Sequence, residues 1–545
     1  MKVLSTTSVI SNLDILPQDA AYVLRGSEYL CFLDSSLTPD KYSKFSYIAW
    51  DPKFTIKSFG YRNEFNIISK GIKYYSYQHP LFFLKQNIGS YTGGSLEDDK
   101  NSIRTLFIDG NKIREAASVD FKLPDFKGGF IGYFSYDLKN YIEKLPQSVL
   151  YDISLPLFYF TYYDKLISYS HDENKWYFIR NFQIKSKDRK CGSSTDIIFL
   201  PGDYIDYDFE DKGLAKRVDL EKREVAGRLS CCKQEINIDN KNNGFSEIKK
   251  SIIDKYYKKN IPSIDLKSNF TRKNYLQGIT KTKKYIHDGD IYQVNFSQRF
   301  ECNLQVDPAD FYYILREKNA APFSAFIKFP ELSIGSSSPE RFLFLKDGII
   351  ETRPIKGTRP RGKDENEDKK YAKELKNSIK DRAELNMIVD LERNDLGKFC
   401  YYGSVKVFEH AVIEKYARVF HSVSTVTGKV KKGYDIADII KAAFPGGSIT
   451  GAPKIRAMEI IDELEPVARG IYTGSMGYIG IGSVMDLNIV IRTFVVKGSR
   501  FYYNVGGGIV EDSNSGDEYD ETLDKGIALK ETLKFFEAKN LKKLL

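Results

Sequence analysis

The chain has 545 residues, 42% of them hydrophobic and 28% charged, with 82 Lys+Arg against 73 Asp+Glu. That length can bury a large core, and the composition is that of an ordinary globular protein, not of a disordered or membrane-spanning one. The basic excess is small and interleaved with acids, so a nucleic-acid surface is a weaker expectation than a small acidic substrate. The cysteines Cys31, Cys191, Cys231, Cys232, Cys302 and Cys400 show no CxxC pairing and no histidines at metal spacing, so neither zinc nor disulfides are expected. Met1 to Leu13 lacks a signal-peptide apolar run, and no later segment reaches about 18 uninterrupted apolar residues. A cytoplasmic protein without membrane contact follows as the expectation.

From Ala21 to Gln183, short aromatic and β-branched runs are broken by Gly, Pro, Asn and Asp. Tyr29–Leu33, Tyr47–Trp50, Gly128–Tyr136, Phe158–Tyr163, Leu166–Tyr169 and Trp176–Arg180 read as strands, antiparallel by their close spacing. Residues 184–266 turn rich in Lys, Asn and Asp, as in Asn237 to Gly244, and read as an exposed insertion or linker. Residues 267–545 then alternate helix and strand signals. Thr271–Asp288, Tyr371–Asp395, Ile436–Ala443 and Pro453–Leu464 read as helices. Ile291–Arg299, Ala325–Phe329, Glu340–Leu345, Arg418–Thr427, Gly474–Ile481, Leu487–Val496 and Arg500–Val505 read as strands.

Five places carry chemistry. Lys356 sits in Pro354–Gly362, a glycine-punctuated basic loop after the strand-like run Asp347–Thr352. With Arg353, Arg359 and Arg361 close by in sequence, its amine should be pushed towards the neutral form a nucleophile needs. A basic loop that simply grips an anion is the plainer reading of that segment alone. On the helix through Asp381–Leu391, a 100° step puts Leu385, Met387, Ile388, Val389 and Leu391 on one arc with Glu384 in its middle. A carboxylate there needs a partner, either a salt bridge or a metal ion. Near the C-terminus, Glu518 and Glu521 share a helical face beside the start signals of Ser513–Asp517; all-oxygen donors suit Mg²⁺, and an acidic first turn serving the helix dipole is the alternative. Finally, Phe444–Lys454 runs from a glycine loop containing Ser448 into a helix start, and Gly506–Gly508 follows a strand; both could cradle an anion with backbone. A strand-end turn is the plainer reading of the triplet.

Taken together, these stretches resemble the chorismate-utilising family of anthranilate, aminodeoxychorismate and isochorismate synthases. The likeness is dense from Ser268 to Leu533 and looser over Ala21 to Pro156. It runs through Gly289–Gln298, Ser337–Phe342, the Lys356 loop, Ala383–Leu391 with Arg393–Leu396, the Phe444 loop, and Gly506 to Thr522. The resemblance implies a single large α/β domain of α+β type, two antiparallel sheets packed face to face with helices outside and the active site between them. Residues 1–183 would be its strand-rich N-terminal part and 267–545 its catalytic part. By the same resemblance, Glu384 and Glu518 hold Mg²⁺ with Glu521 nearby, and Glu340 is the general acid at the C4 hydroxyl. Arg492 and Tyr472, with backbone at Gly507 and Gly508 and with Ser448, would grip substrate carboxylate, and His421 would stand where pyruvate elimination is served.

Lys356 resembles the aminodeoxychorismate synthase group, in which the amine adds at C2; anthranilate synthases usually carry alanine there. Gln293 replaces the lysine base of the water-using relatives, and Asn295 also resembles the aminodeoxychorismate group. No glutaminase segment of the Gly-x-Cys-x-Gly type is present, so a separate glutamine amidotransferase subunit is implied as ammonia source, and tryptophan is a possible ligand of the N-terminal half. Two departures stand out: Ser515-Gly516 replaces a frequent Pro-Glu, and residues 184–266 exceed the family norm. Anthranilate synthase component I and a catalytically silent chorismate or tryptophan sensor are the competing readings. The sensor is disfavoured by the intact set of acids beside a nucleophile.

Overall fold

Alternation along the aromatic strands sets the layers. In Phe158–Tyr163 every residue is buried: Tyr159 and Tyr163 point into one apolar cluster, while Phe158, Phe160 and Tyr162 point into another. A strand buried on both faces lies inside a layered structure. The computed structural model describes all residues except 1, 12, 37–41, 43, 93–102, 110–111, 116–121, 147, 185–203, 206–210, 237–242, 417–418 and 545. Among the described residues there is one sheet of fifteen strands and one of twelve. Pairing is antiparallel throughout their long ladders, except that Lys2–Ile10 runs parallel to Ile103–Asp109.

Facing side chains such as Tyr47, Tyr133, Tyr159, Ile327 and Tyr502 fill the space between the sheets. The outer face of the larger sheet is covered by helices that include Pro308–Lys318 and Gly244–Lys259. That of the smaller sheet is covered by Pro80–Thr92, Ile379–Phe399 and Ile436–Ala443, among others. Strands from both ends of the chain interleave. Cys31–Asp34 pairs with Phe323–Lys328, and Gly129–Phe134 pairs with Ser475–Gly480.

Three expectations need correction. Over Asp211–Glu235 and Gly244–Lys259 the supposed linker is helical. Leu214, Val218, Val225 and Leu229, then Ile248, Ile252 and Tyr256, are buried in the outer core. Each polar helix carries one narrow apolar stripe, which composition alone hides. Asp310, fully buried, anchors the second of them: it accepts from Tyr256 (2.7 Å), Lys255 (2.7 Å) and Tyr22 (2.8 Å). Most of the Asn-rich stretch from Asn237 lies outside the described residues. Second, Tyr371–Asp395 is two helices, Glu365–Asn377 and Ile379–Phe399, because Ser378 ends one and caps the next by accepting from the Asp381 N–H. Third, Leu487–Val496 is two strands, Val484–Ile489 and Thr493–Lys497. Arg492 between them takes a positive φ of 51°, which a non-glycine residue holds only at a cost of about 1–3 kcal/mol. No described helix is long and apolar enough to cross a membrane.

Candidate active site

The edge strand Ile355–Pro360 pairs with Val419–Lys429, placing Lys356 opposite Ser422 and Thr358 opposite His421. Lys356 Nζ lies 3.4 Å from the Ser448 carbonyl oxygen and 3.5 Å from where a Cβ on Gly508 would stand. Its pKa is depressed, chiefly by burial, with Glu384 and Glu340 opposing and Lys525 assisting. The neighbouring arginines are not the cause. Arg353 donates to Glu414 (2.6 Å), Arg359 to Asp381 (2.8 Å) and Arg361 to Asp368 (2.6 Å), so each is neutralised by its own carboxylate.

Glu340 is buried in the turn between Ser333–Ser338 and Arg341–Lys346. Burial raises its pKa against the pull of the Ser448 hydroxyl and of Lys356, which favours the protonated form that an acid catalyst requires. His421 is buried and its pKa falls to about 3, first through burial and then through Arg492. Its Nδ1 meets the Thr358 hydroxyl at 2.9 Å, and its Nε2 has no partner among the described residues. It is therefore neutral near pH 7. Arg492 is only half-buried by exposed area, yet no described residue accepts a hydrogen bond from its guanidinium, and burial lowers its pKa. A half-buried guanidinium with no described hydrogen-bond acceptor suits an anion.

Gly506–Gly508 does not end a strand; it lies inside Arg500–Ile509, paired with Ser297, Phe296 and Asn295. Gly506 and Gly508 are glycine because of close approach. A Cβ on Gly508 would stand 2.2 Å from Gln293 Nε2, and one on Gly506 would stand 2.8 Å from Asn295 Oδ1. Gln293 Oε1 and Asn295 Oδ1 are buried without described partners, leaving acceptors available beside the glycine backbone. The Phe444 loop differs from expectation. The following helix begins at Lys454, which turns back to donate to the carbonyls of Ala443 (3.0 Å) and Pro445 (2.8 Å) and to Asp395. The lysine thus holds the loop's shape.

The helix Ile379–Phe399 is phased differently from the expected arc. Leu385, Ile388, Val389, Glu392, Leu396 and Phe399 are buried, whereas Glu384, Met387 and Leu391 are only partly so. Glu384 faces Lys356 and Glu518, not the core, and burial raises its pKa. The core carboxylate is Glu392, which accepts from the Thr352 hydroxyl and whose pKa burial lifts to about 8. Glu518 accepts from Ser513 at 2.6 Å, and burial raises its pKa too. Glu521 is more exposed; burial would raise it, but Lys525, paired at 2.7 Å, and other lysines outweigh that and lower it. Lys525 also donates to the Gly506 carbonyl at 3.0 Å. The Glu521 to Lys525 spacing of four was the sequence signal for this overlooked residue. The donors are all carboxylate oxygen and two of them bear raised pKa values, which fits a hard divalent cation. Among the described residues, however, no three Asp, Glu, His or Cys side chains gather closely enough to form a ligand shell.

A guanidinium with no described hydrogen-bond acceptor, an amine whose pKa burial lowers and a carboxyl whose pKa burial raises, set between two sheets beside glycine backbone, define an enzyme that holds and transforms a small anion. The chain belongs to the chorismate binding enzyme family, whose pattern matches residues 84–531. It is 37% identical over 446 residues to aminodeoxychorismate synthase component 1 of Bacillus subtilis (strain 168), covering 80% of this chain and 85% of that one. With the Escherichia coli (strain K12) protein of the same name it shares 34% over 512 residues, 93% and 95% of the two chains. Anthranilate synthase component 1 of Aquifex aeolicus (strain VF5) is 35% identical over 441 residues, 78% and 79% of the two. Among solved structures, anthranilate synthase component I from Streptococcus pneumoniae TIGR4 superposes with a TM-score of 0.64 at 28% identity, covering 90% and 92%.

Proposed function

We propose that this chorismate-utilising enzyme is an aminodeoxychorismate synthase component I, converting chorismate and ammonia to 4-amino-4-deoxychorismate and water for para-aminobenzoate and folate synthesis. The observation that carries it is Lys356: a depressed-pKa amine facing the space shared by Glu340, Glu384 and Gly508. The neutral amine adds at C2 of chorismate, the ring double bonds shift, and the C4 hydroxyl leaves as water on taking the Glu340 proton. Ammonia then adds at C4, the double bonds shift back, and the lysine leaves C2 as the free amine. Pyruvate is retained. Arg492, with Tyr472 and the Gly507–Gly508 backbone, is assigned the enolpyruvyl carboxylate, for which a forked guanidinium is suited.

Glu384 and Glu518, with Glu521 near, would hold Mg²⁺, and the ion would bind the ring carboxylate and stabilise charge developing as the hydroxyl departs. Ammonia would come from a separate glutamine amidotransferase subunit, as the component 1 naming of the relatives suggests. Tryptophan would be a ligand bound partly by the N-terminal half. A cavity of about 270 Å³ between the sheets, lined by Asp34, Ser35, Phe45, Phe323, Met476 and Tyr478, shares no residue with the site above and offers it room.

The test is mass spectrometry of the product from chorismate, Mg²⁺ and an ammonium salt. A 4-amino product retaining the enolpyruvyl group supports the reading. Fluorescent anthranilate instead would establish the anthranilate synthase reading, which the 35% identical Aquifex aeolicus relative favours. Absence of any turnover would leave the silent sensor.

A further inference from the structure

We infer that Arg469 is a positioning residue of the active site, whose guanidinium locks together the three segments that carry Asn295, Ser448 and Tyr472. The inference deepens the chorismate reading above and rests on it for its kinetic consequence. Arg469 and Glu465 form a buried ion pair, four residues apart just beyond the end of the Lys454–Leu464 helix, with Nε to Oε2 at 2.9 Å and Nη2 to Oε1 at 2.7 Å. The remaining three N–H groups go elsewhere. Nη2 donates to the Asn295 carbonyl at 2.6 Å, and Nη1 donates to the Ile449 carbonyl at 3.0 Å and to the Thr473 hydroxyl at 3.3 Å. All five guanidinium donors are thereby used.

The three extra acceptors are not scattered. Asn295 stands opposite Gly508 in the glycine ladder, Ile449 follows Ser448, and Thr473 follows Tyr472. The Thr473 N–H donates to the Val490 carbonyl at 2.8 Å, two residues before Arg492. From the other side, Glu465 Oε1 accepts from the Ser297 N–H at 2.8 Å, so the pair grips the Gln293–Asn303 strand at two points. The guanidinium also lies over the rings of Tyr136 (4.8 Å) and Tyr472 (5.8 Å). A buried ion pair by itself is poor evidence of stabilisation, since an apolar replacement often serves as well. Planar donors spread over three backbone segments do something an apolar replacement cannot: they fix the relative positions of those segments. A lysine has one nitrogen and three donors and cannot span them.

The test is Arg469→Lys in the full chain. Amide hydrogen exchange without substrate should speed up at residues 293–297 and 447–450. In the ammonium-dependent assay, KM for chorismate should rise and kcat fall, each by roughly 10-fold, as a misplacement near 1 Å would cause. The Mg²⁺ activation constant should stay where it is, because Glu384, Glu518 and Glu521 lie on other segments. Unchanged exchange in the folded variant overturns the inference whatever the enzyme does with chorismate, and wild-type KM and kcat in a merely less heat-stable variant reduce Arg469 to a structural residue. Should Arg469→Lys fail to fold, Thr473→Val, which keeps the ion pair, decides: the same two shifts in smaller measure support the lock, and their absence removes it.

Discussion

At the scale of single residues, Lys356 separates the two amination chemistries. In the proposed mechanism its amine blocks C2 so that ammonia reaches C4, and Lys356→Ala would open C2 while leaving Arg492 and the carboxylates in place. Chromatography of the variant's products should show a shift from the 4-amino to the 2-amino isomer. A variant that makes the 4-amino product at the wild-type rate would return this strand's lysine to plain anion binding. The candidacy of this lysine came from sequence alone, but the segment read there as a basic loop is the edge strand Ile355–Pro360. The cause of its low pKa was not legible there. Sequence proximity suggested the three arginines, but side chains on alternate sides of a strand find different partners, and each arginine found a carboxylate. Burial, which belongs to the tertiary structure, depresses the lysine instead.

At the scale of elements, the helix Ile379–Phe399 shows where a helical wheel runs out. Apolar residues surround much of it, so the window could not fix its phase, and Glu384 was assigned to the core stripe that in fact contains Glu392. The glycine triplet was read only in part: the strand-end turn that was its plainer reading gives way to a place inside Arg500–Ile509, where the close neighbours are Gln293 and Asn295. Gly508→Ala should abolish activity while leaving the fold intact, because the new Cβ meets Gln293 Nε2 at 2.2 Å; circular dichroism beside the turnover assay would check both halves of that statement.

Glu392 carries a stability prediction. Its pKa is about 8 in the folded chain against an ordinary 4.5. Below pH 4.5 both folded and unfolded states keep the proton. Between pH 4.5 and 8 only the folded state keeps it, so that contribution to stability is progressively lost as pH rises, by up to a few kcal/mol. Glu392→Gln retains a partner for Thr352 without ionising. Its melting temperature should exceed that of the wild type at pH 8, and the advantage should shrink towards pH 4.5. A constant difference across that range would contradict the assignment.

At the scale of the whole molecule, neither end of the chain owns a sheet. Cys31–Asp34 takes one neighbour from Phe323–Lys328, and Gly129–Phe134 takes one from Ser475–Gly480. A fragment of residues 1–183 should therefore show no cooperative unfolding transition by calorimetry, since two of its strands would expose unpaired edges and an uncovered aromatic face. The same interleaving sets a timetable for biosynthesis. While the ribosome adds residues at about 5–20 per second, the early aromatic strands must wait for partners some 300 positions downstream. For many seconds they are buried-type apolar strands with an open edge. Productive folding of this chain should then depend on holding chaperones, and faster translation of residues beyond 183 should raise the yield of soluble protein more than faster translation of those before.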